Sequence, residues 1–452
     1  MKTLRIGCGS GGCTYERLEP AVELLEKGRL DYLIFECLAE RTIAAAQKEK
    51  QADPAKGYNP MLEARMRRVL PLAAKHGTTI VSNMGAANTP RAVELTAVIA
   101  GNLGLSGLKI ASVRGDDILE RVRDYRDLPL LDRRIPLGDL EDVIISANVY
   151  LSGDPIREAL DADATVVITG RVADPALFVG PLTREFGWSA ADESKMGQAI
   201  LLGHLLECAG QLTGGYYADP GYKDVDNLHA LGFPIAEIDE TGAFVVTKPE
   251  GSGGTVCVDI CKEQLLYEID DPARYITPDG IADFSQVTFT QTGRDRVTAQ
   301  GAVCRGKPTH YKVNIGYRDC WTGEAQISYG GGNALDRARL AADIVEKRLR
   351  LIGITPDEYR VDYIGCTSLY GAGISERITR NAPSEVRLRV AARTKTKEEA
   401  TAVVREVECL YTNGPAGGAG IRSGVEQPVC VDNILIPWAD VSPEVAVIEV
   451  KR

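Results

Sequence analysis

The chain has 452 residues, of which 44% are hydrophobic and 25% charged, a composition typical of a globular protein and a length too great for one hydrophobic core. Its net charge of -11 argues against nucleic acid or an anionic membrane as the main partner. No apolar run is long enough to cross a bilayer, and the eleven scattered cysteines form no CxxC pair, so we expect a cytoplasmic protein with free thiols.

The first half of the chain alternates short apolar strands with helices. Strands are predicted over residues 4–7, 30–37, 78–82, 108–113, 142–148 and 165–169, and helices over residues 20–27, 61–76 and 89–101. Alternation of this kind is typical of a parallel sheet whose crossover helices cover both faces. We therefore predict an α/β fold with a mostly parallel, Rossmann-like N-terminal sheet over residues 1–230.

The pattern changes after residue 230, where strands follow one another without long helices between them. Strands are predicted over residues 243–247, 255–260, 286–290, 296–303, 309–317, 325–327, 359–363 and 385–393, and helices over residues 335–351 and 397–410. This pattern predicts a C-terminal α+β domain over residues 231–452. Its glycine-rich segment at 250–255 suits either an anion cradle or a wide turn. The segment at 413–420 allows close approach of a ligand or another subunit, and we expect a homo-oligomer.

A glycine-rich turn is predicted directly after the first strand. Gly7, Gly9 and Gly12 have the G-x-G-x-x-G spacing of a dinucleotide-binding loop. The residues that follow, CTYERLEP, do not resemble the small-residue helix of that motif, so we do not expect NAD. A nicotinamide-dependent oxidoreductase stays an alternative function. We expect backbone N–H groups here to bind a substrate carboxylate or phosphate, at Gly9, Ser10, Gly11 and Gly12.

Polar residues follow several predicted strands, at the sheet edge where open α/β folds bind ligands. Arginines suit an anionic substrate there, and asparagines can orient it. The candidate substrate-binding residues are Glu36, Asn83, Asn88, Arg114, Asn148 and, beside a loop in the second half, Arg318. Arg171 and Asp174, after strand 165–169, are catalytic candidates. A structural alternative is that these two form an ion pair and that Asp174 caps a helix.

A helix predicted around residues 196–212 carries a polar stripe on a leucine-rich surface. His204, Glu207, Cys208 and Gln211 share one face, because they are spaced i, i+3, i+4 and i+7. Histidine beside glutamate can act in acid–base catalysis, so His204 and Glu207 are further catalytic candidates. A metal held by His, Glu and Cys side chains, or a hydrogen-bonded histidine in the core, are the alternatives. The sequence contains no G-x-S-x-G, Walker A or HExxH motif.

Four separated segments carry a family resemblance. They are, in chain order, SANVYLSGDPIREALDADATVVITGRVADPAL, GHLLECAGQLTGG, GEAQISYGG and LYTNGPAGGAG. Together they resemble the acyclic terpene utilisation AtuA-like family, over a span from Gly7 to Gly420. The resemblance implies a role in the catabolism of branched acids and acyl-CoA thioesters, and a small companion protein or domain. Because the chain ends soon after Val450, we expect that companion on a separate chain.

We therefore expect a catabolic enzyme, a hydratase or dehydratase, that acts on a small carboxylate or its acyl-CoA thioester. Arg114 and Arg171 would bind the carboxylate. His204, Glu207 or Asp174 would exchange protons next to it, and glycine-loop N–H groups would stabilise the developing charge. The sequence leaves open whether carboxylates also hold a divalent metal. The alternative to an enzyme is a non-catalytic or incomplete subunit that needs its companion.

Overall fold

The computed structural model describes residues 2–12, 15–378 and 383–451, with the side chain of residue 376 excepted. The chain forms a mixed α/β fold with two compact units. The first unit is Met1–Gly316 with Val431–Arg452, and the second is Tyr317–Cys430. Among the helices of the described ranges, none combines the length and the apolar composition that a membrane crossing requires.

The elements follow one another along both units. The strands are β1 (Thr3–Gly11), β2 (Tyr32–Glu36), β3 (Thr79–Ser82), β4 (Lys109–Arg114), β5 (Ile144–Val149), β6 (Val166–Thr169), β7 (Ile235–Asp239), β8 (Phe244–Thr247), β9 (Tyr275–Thr277), β10 (Gly280–Asp283), β11 (Thr288–Gly293), β12 (Arg296–Gln300), β13 (Val303–Cys304), β14 (His310–Tyr317), β15 (Trp321–Gly330), β16 (Glu358–Ile364), β17 (Glu385–Thr394), β18 (Ala419–Glu426), β19 (Cys430–Pro437) and β20 (Glu444–Glu449). The helices are α1 (Glu19–Lys27), α2 (Glu40–Ala52), α3 (Leu62–His76), α4 (Thr89–Asn102), α5 (Asp154–Asp161), α6 (Ala176–Phe186), α7 (Glu193–Leu206), α8 (Val258–Leu266), α9 (Ala334–Leu351), α10 (Gly371–Ile378), α11 (Lys397–Glu408) and α12 (Leu410–Asn413).

A large mixed sheet organises the first unit. Within the described residues its strand order is β11-β12-β8-β7-β1-β2-β3-β6-β4-β20. The stretch β1-β2-β3-β6-β4 is parallel, as the strand–helix alternation predicts. The neighbours on either side pair antiparallel, so the expectation of a mostly parallel sheet is wrong for the sheet as a whole. The physical reason is that a short turn joins β7 to β8, which forces a hairpin.

Three sequence predictions differ from the structure. The predicted strand 142–148 forms β5, which belongs to a separate sheet of order β19-β14-β5, because an apolar run does not specify its partner. Residues 255–260 enter helix α8, whose buried residues Ile260, Cys261, Gln264 and Leu265 follow a helical period. Helix α7 stops at Leu206 rather than reaching residue 212, since Ala209 has a φ of 42° that an α-helix does not accommodate.

The second unit is a four-stranded sheet, of order β16-β17-β15-β18 in the described residues, packed against helices. Alternate residues of β17, namely Val386, Leu388, Val390 and Ala392, join the core with residues of α9 and α11. The chain passes between the units after Gly316 and again after Cys430, and neither point coincides with the predicted boundary after residue 230. Strands β7, β8, β11 and β12 follow that boundary but extend the first unit's sheet.

Candidate active site

Glu36 ends β2 and is buried among hydrogen-bond donors. Its Oε1 accepts hydrogen bonds from Asn83 Nδ2 and Leu38 N, both at 2.9 Å. Asn83 Oδ1 in turn accepts from Cys37 N at 2.8 Å. Burial and the negative charge of Asp174 raise the pKa of Glu36 to about 8. At neutral pH the Glu36 carboxyl therefore keeps its proton.

Arg171 follows β6 and is only 2% exposed. Its guanidinium donates to Leu38 O, lies 3.2 Å from Asp174 Oδ1, and covers the ring of Tyr150 at 4.2 Å from the centroid. Its backbone N–H donates to Asp116 Oδ2 at 2.9 Å. The ion pair that the structural alternative predicted is present. Asp174 does not cap α6, because Pro175 occupies the N-cap position.

Asp174 connects the buried arginine to solvent. Its Oδ1 is buried, although 33% of its side chain is exposed. Burial raises the pKa of Asp174, while the positive charge of Arg171 opposes the rise. Asp174 therefore presents one buried oxygen to Arg171 and faces solvent with the rest of the carboxyl group.

His204 and Glu207 lie together at the C-terminal end of α7. His204 Nε2 is 3.1 Å from the carbonyl oxygens of Gln264 and Leu265, and because a carbonyl only accepts, Nε2 carries the proton. Its Nδ1 lies 3.4 Å from Glu207 Oε1. Burial lowers the pKa of His204 to about 4, and burial with the charge of Asp174 raises that of Glu207 well above its usual value. These shifts favour a neutral imidazole beside a protonated carboxyl group.

Two close backbone approaches bring α7 to the strand ends. A Cβ at Gly203 would lie 2.7 Å from Pro175 Cα, so glycine lets α7 pack directly on the turn that carries Asp174. A Cβ at Gly11 would lie 2.3 Å from the carbonyl carbon of Cys208, so the end of β1 packs directly on the backbone of the residue that follows Glu207. Glu36, Arg171, Asp174, His204 and Glu207 therefore share one site, which we call the acid–base cluster.

Replacing Gly203 with alanine is expected to destabilise the protein by about 2 kcal/mol, because the new methyl group overlaps backbone atoms that cannot rotate away. Gly101→Ala is the matched control in another helix, since nothing lies within 4 Å of a Cβ at that position. Alanine should stabilise there by about 0.5 kcal/mol through its helix propensity. Urea unfolding of both variants checks the difference, and equal midpoints would contradict the packing described here.

Unsatisfied polar atoms concentrate in the acid–base cluster. Among the described residues, the buried atoms of the cluster without a hydrogen-bond partner are Arg171 Nε, Asp174 Oδ1, His204 Nδ1 and Glu207 Oε2. Buried polar groups are nearly always hydrogen-bonded, so such a concentration requires explanation. A bound substrate that offers both an acceptor for Arg171 and transferable protons would satisfy these atoms.

The pKa of Glu36 makes stability depend on pH. Because its folded pKa of about 8 exceeds the ordinary glutamate pKa of 4.5, native Glu36 holds a proton that the unfolded chain releases between these values. Its contribution to the free energy of unfolding is complete below pH 4.5 and falls with rising pH by up to about 1.4 kcal/mol per unit, until about pH 8. Glu36→Gln should remove this slope.

The measurement is urea unfolding of wild type and Glu36→Gln at intervals from pH 5 to pH 9, spanning the pKa of about 8. The stability of the variant relative to wild type should rise across this range and then level off. Glu120→Gln, a change at an exposed glutamate, is the control that should give parallel curves. A constant difference between wild type and Glu36→Gln would show that Glu36 is ionised in the native protein.

The glycine-rich segment forms a strand rather than the predicted turn. Gly9, Ser10 and Gly11 lie in β1, which leaves Gly12, with a φ of 69°, as the turn residue. A Cβ at Gly9 would lie 2.7 Å from the ring of Phe35, so this glycine serves close packing. Gly12 N donates to the Glu36 carbonyl oxygen at 3.2 Å. Three of the four residues predicted to form the N–H cradle therefore lie in a strand rather than in a turn.

The other predicted binding residues lie at varying distances from the cluster. Asn148 Nδ2 donates to Asp116 Oδ2 at 2.9 Å, and the same oxygen accepts from the backbone N–H of Arg171. Asn88 Nδ2 instead donates to the carbonyl oxygens of Pro54 and Lys56, so it braces a loop. Arg114 is exposed and forms an ion pair with Glu444 on β20. Arg318 belongs to the second unit.

Sequence reasoning missed a group of residues beside Arg171. Tyr150 donates to Glu40 Oε1 at 2.7 Å, and Lys312 donates to the same oxygen at 3.1 Å. Lys312 Nζ also lies 4.7 Å from the centroid of the Tyr150 ring. Lys312 and Glu40 are each about 40% exposed, which places them at the edge of the site. Glu40 lies four residues after Glu36, just beyond the end of the same predicted strand, so its position could have identified it as a candidate. No local pattern in the sequence identifies Lys312.

Tyr275 on β9 is a second missed neighbour. Its ring centroid lies 5.1 Å from that of His204. Burial raises the pKa of Tyr275 well above its usual value, so its hydroxyl stays protonated. No pattern in the surrounding sequence distinguishes this tyrosine from a core residue.

Among the described residues, the His, Cys, Asp and Glu side chains are the candidate ligands for a metal ion. The donor atoms of the acid–base cluster do not form a group close enough to share a cation. Such a group does occur in the second unit, from Asp319, Cys320 and Cys430.

Comparison with known proteins agrees with the resemblance in the sequence. A family model described as acyclic terpene utilisation family protein AtuA matches residues 4–447. A search of curated proteins found no match. The matched range includes both units and every residue of the acid–base cluster. The chain therefore belongs to the acyclic terpene utilisation AtuA family.

Proposed function

We propose that this protein is a catabolic hydro-lyase that adds or removes water next to the carboxyl group of a small carboxylate or its acyl-CoA thioester. Membership of the AtuA family suggests a catabolic role. The observation that supports the chemistry is the buried pair of His204 and Glu207. His204 Nδ1 lies 3.4 Å from Glu207 Oε1 and has no hydrogen-bond partner among the described residues.

The pair supplies a base and an acid at the same pH. In the neutral imidazole of His204, Nδ1 can accept a proton, because Nε2 carries the ring proton and donates it to backbone carbonyls. Burial raises the pKa of Glu207, which favours the protonated form that can act as the acid. In dehydration, Nδ1 would take the proton from the carbon next to the carboxyl group as the carbon–oxygen bond breaks. The hydroxyl would leave as water with the proton of Glu207, and hydration would reverse both transfers.

Arg171 would bind the carboxylate or the thioester carbonyl. Contacts with Leu38 O, Asp174 and the Tyr150 ring hold its guanidinium in position. Its Nε has no hydrogen-bond partner among the described residues. A guanidinium that faces the substrate would stabilise the negative charge that develops when the α-proton leaves. Exclusion of water from this buried position would strengthen that interaction.

The test is hydrogen exchange in deuterated water. Branched hydroxy acids, α,β-unsaturated acids and their CoA thioesters are incubated with the purified chain, and NMR follows deuterium at the α-carbon. We expect exchange, and interconversion of the hydroxy and unsaturated compounds, with at least one member of this panel. His229→Gln, a change at an exposed histidine, is the control and should match wild type. Absence of exchange throughout the panel contradicts the proposal.

A further inference from the structure

A second set of chemically reactive side chains lies in the unit Tyr317–Cys430, outside the acid–base cluster. A carboxylate oxygen of Asp319 and the sulfurs of Cys320 and Cys430 lie within 4.8 Å of one another. Cys320 is 3% exposed, whereas Asp319 and Cys430 are half-buried. Asp319 and Cys320 are neighbours in the sequence, and the fold brings Cys430 to them from a distant part of the chain.

We propose that Asp319, Cys320 and Cys430 bind a divalent cation of the Zn²⁺ type. Two thiolates and one carboxylate are a donor set that zinc prefers, and that magnesium and calcium do not. Three such donors within this distance can reach one ion with small side-chain rotations. The site is independent of the proposed hydro-lyase chemistry.

Arg393 positions the carboxylate. Its guanidinium donates to both oxygens of Asp319, at 2.7 and 2.8 Å. A carboxylate accepts more hydrogen bonds than these, so Asp319 can coordinate a metal while Arg393 holds it, as partners of metal ligands commonly do.

The charges of the site balance when a metal is bound. Binding would replace the two thiol protons by one divalent cation and release both protons to solvent. The two thiolates and Asp319 would then carry three negative charges, matched by the cation and Arg393.

The proposed site opens onto a groove. Cys320 and Cys430 line a cavity of about 1090 Å³ on the polar face of the four-stranded sheet. Arg389, Arg393 and Arg422 line the same groove. With three protein ligands, a tetrahedral zinc ion keeps a fourth position, which a water molecule or a small anion in the groove would occupy.

The experiment uses the full chain, purified in reductant, stripped with EDTA and titrated with Co²⁺ as a spectroscopic probe. We expect one Co²⁺ per chain, with the near-ultraviolet charge-transfer absorption of cobalt–thiolate bonds. On the zinc-loaded native chain, X-ray absorption should show two sulfur ligands at about 2.3 Å. The X-ray absorption measurement uses the native chain, so its result does not depend on whether a variant folds.

Variants assign the ligands. Cys320→Ser and Cys430→Ser should each lower the charge-transfer absorption to about half, and Asp319→Asn should weaken Zn²⁺ binding at least about tenfold in competition with a chromophoric chelator. Cys409→Ser, at an exposed cysteine, should leave the absorption and the affinity unchanged. Circular dichroism confirms that each variant is folded.

Four outcomes would overturn the proposal. They are no cobalt–thiolate absorption in the native chain, absorption of undiminished intensity in both cysteine variants, zinc bound by oxygen and nitrogen atoms alone, and a Cys320–Cys430 disulfide that survives reduction and leaves no thiols to bind the metal.

Discussion

Replacing His204 with glutamine is expected to lower kcat/KM for α-proton exchange by about 10² to 10⁴-fold, the contribution of a positioned general base. Glutamine can still donate a hydrogen bond toward the carbonyl oxygens of Gln264 and Leu265. Its amide cannot accept a proton at neutral pH, so the transfer step loses its base. The effect should be on kcat rather than KM, because His204 does not hold the carboxylate in the proposed complex. Exchange in deuterated water measures the loss.

The pH profile separates a catalytic His204 from a structural one. Since burial lowers the pKa of His204 to about 4, the base stays active down to about that pH and is lost below it. The wild-type rate should therefore fall on the acid side only near pH 4, and His204→Gln should lack this limb. An unchanged rate in the variant, or a wild-type acid limb near the ordinary histidine pKa, would remove His204 from the mechanism.

Replacing Arg171 with lysine is expected to lower kcat/KM about a hundredfold, which corresponds to about 3 kcal/mol for a lost charged hydrogen bond in a buried site. Lysine keeps the charge, but it lacks the planar fork that reaches Leu38 O, Asp174 and the substrate at once. It also loses the flat contact with the Tyr150 ring. Steady-state kinetics of the variant should show a raised KM for carboxylate substrates as well as a lower kcat.

Two comparisons make the Arg171 result specific. Arg296→Lys changes an arginine whose ion pair with Glu237 lies away from the acid–base cluster, so its kinetics should match wild type. Wild type should also prefer a carboxylate substrate to the matching neutral amide, and Arg171→Lys should weaken that preference, because lysine keeps the charge but lacks the second N–H of the fork. Unchanged kinetics in a folded Arg171→Lys variant would show that the arginine serves the fold alone.

Local sequence patterns predicted much of the secondary structure. The β-branched run after Ala164 forms β6, and the alternation VRLRVAAR forms β17 with one face in the core. The same reasoning failed for residues 255–260, where an apolar run continues into the buried face of α8. It also failed for the glycine-rich segment at Gly9, because strand and turn glycines look alike until the packing of Phe35 is known.

The sequence by itself determined the family, the strand–helix alternation and the residues Arg171, Asp174, His204 and Glu207 as candidates, because each depends on local spacing. Only the tertiary structure decided that they share one site, since Gly203 must meet Pro175 and Gly11 must meet Cys208 across large sequence separations. The same holds for the lowered pKa of His204 and the raised pKa of Glu207, because a pKa depends on burial by residues that no local pattern identifies.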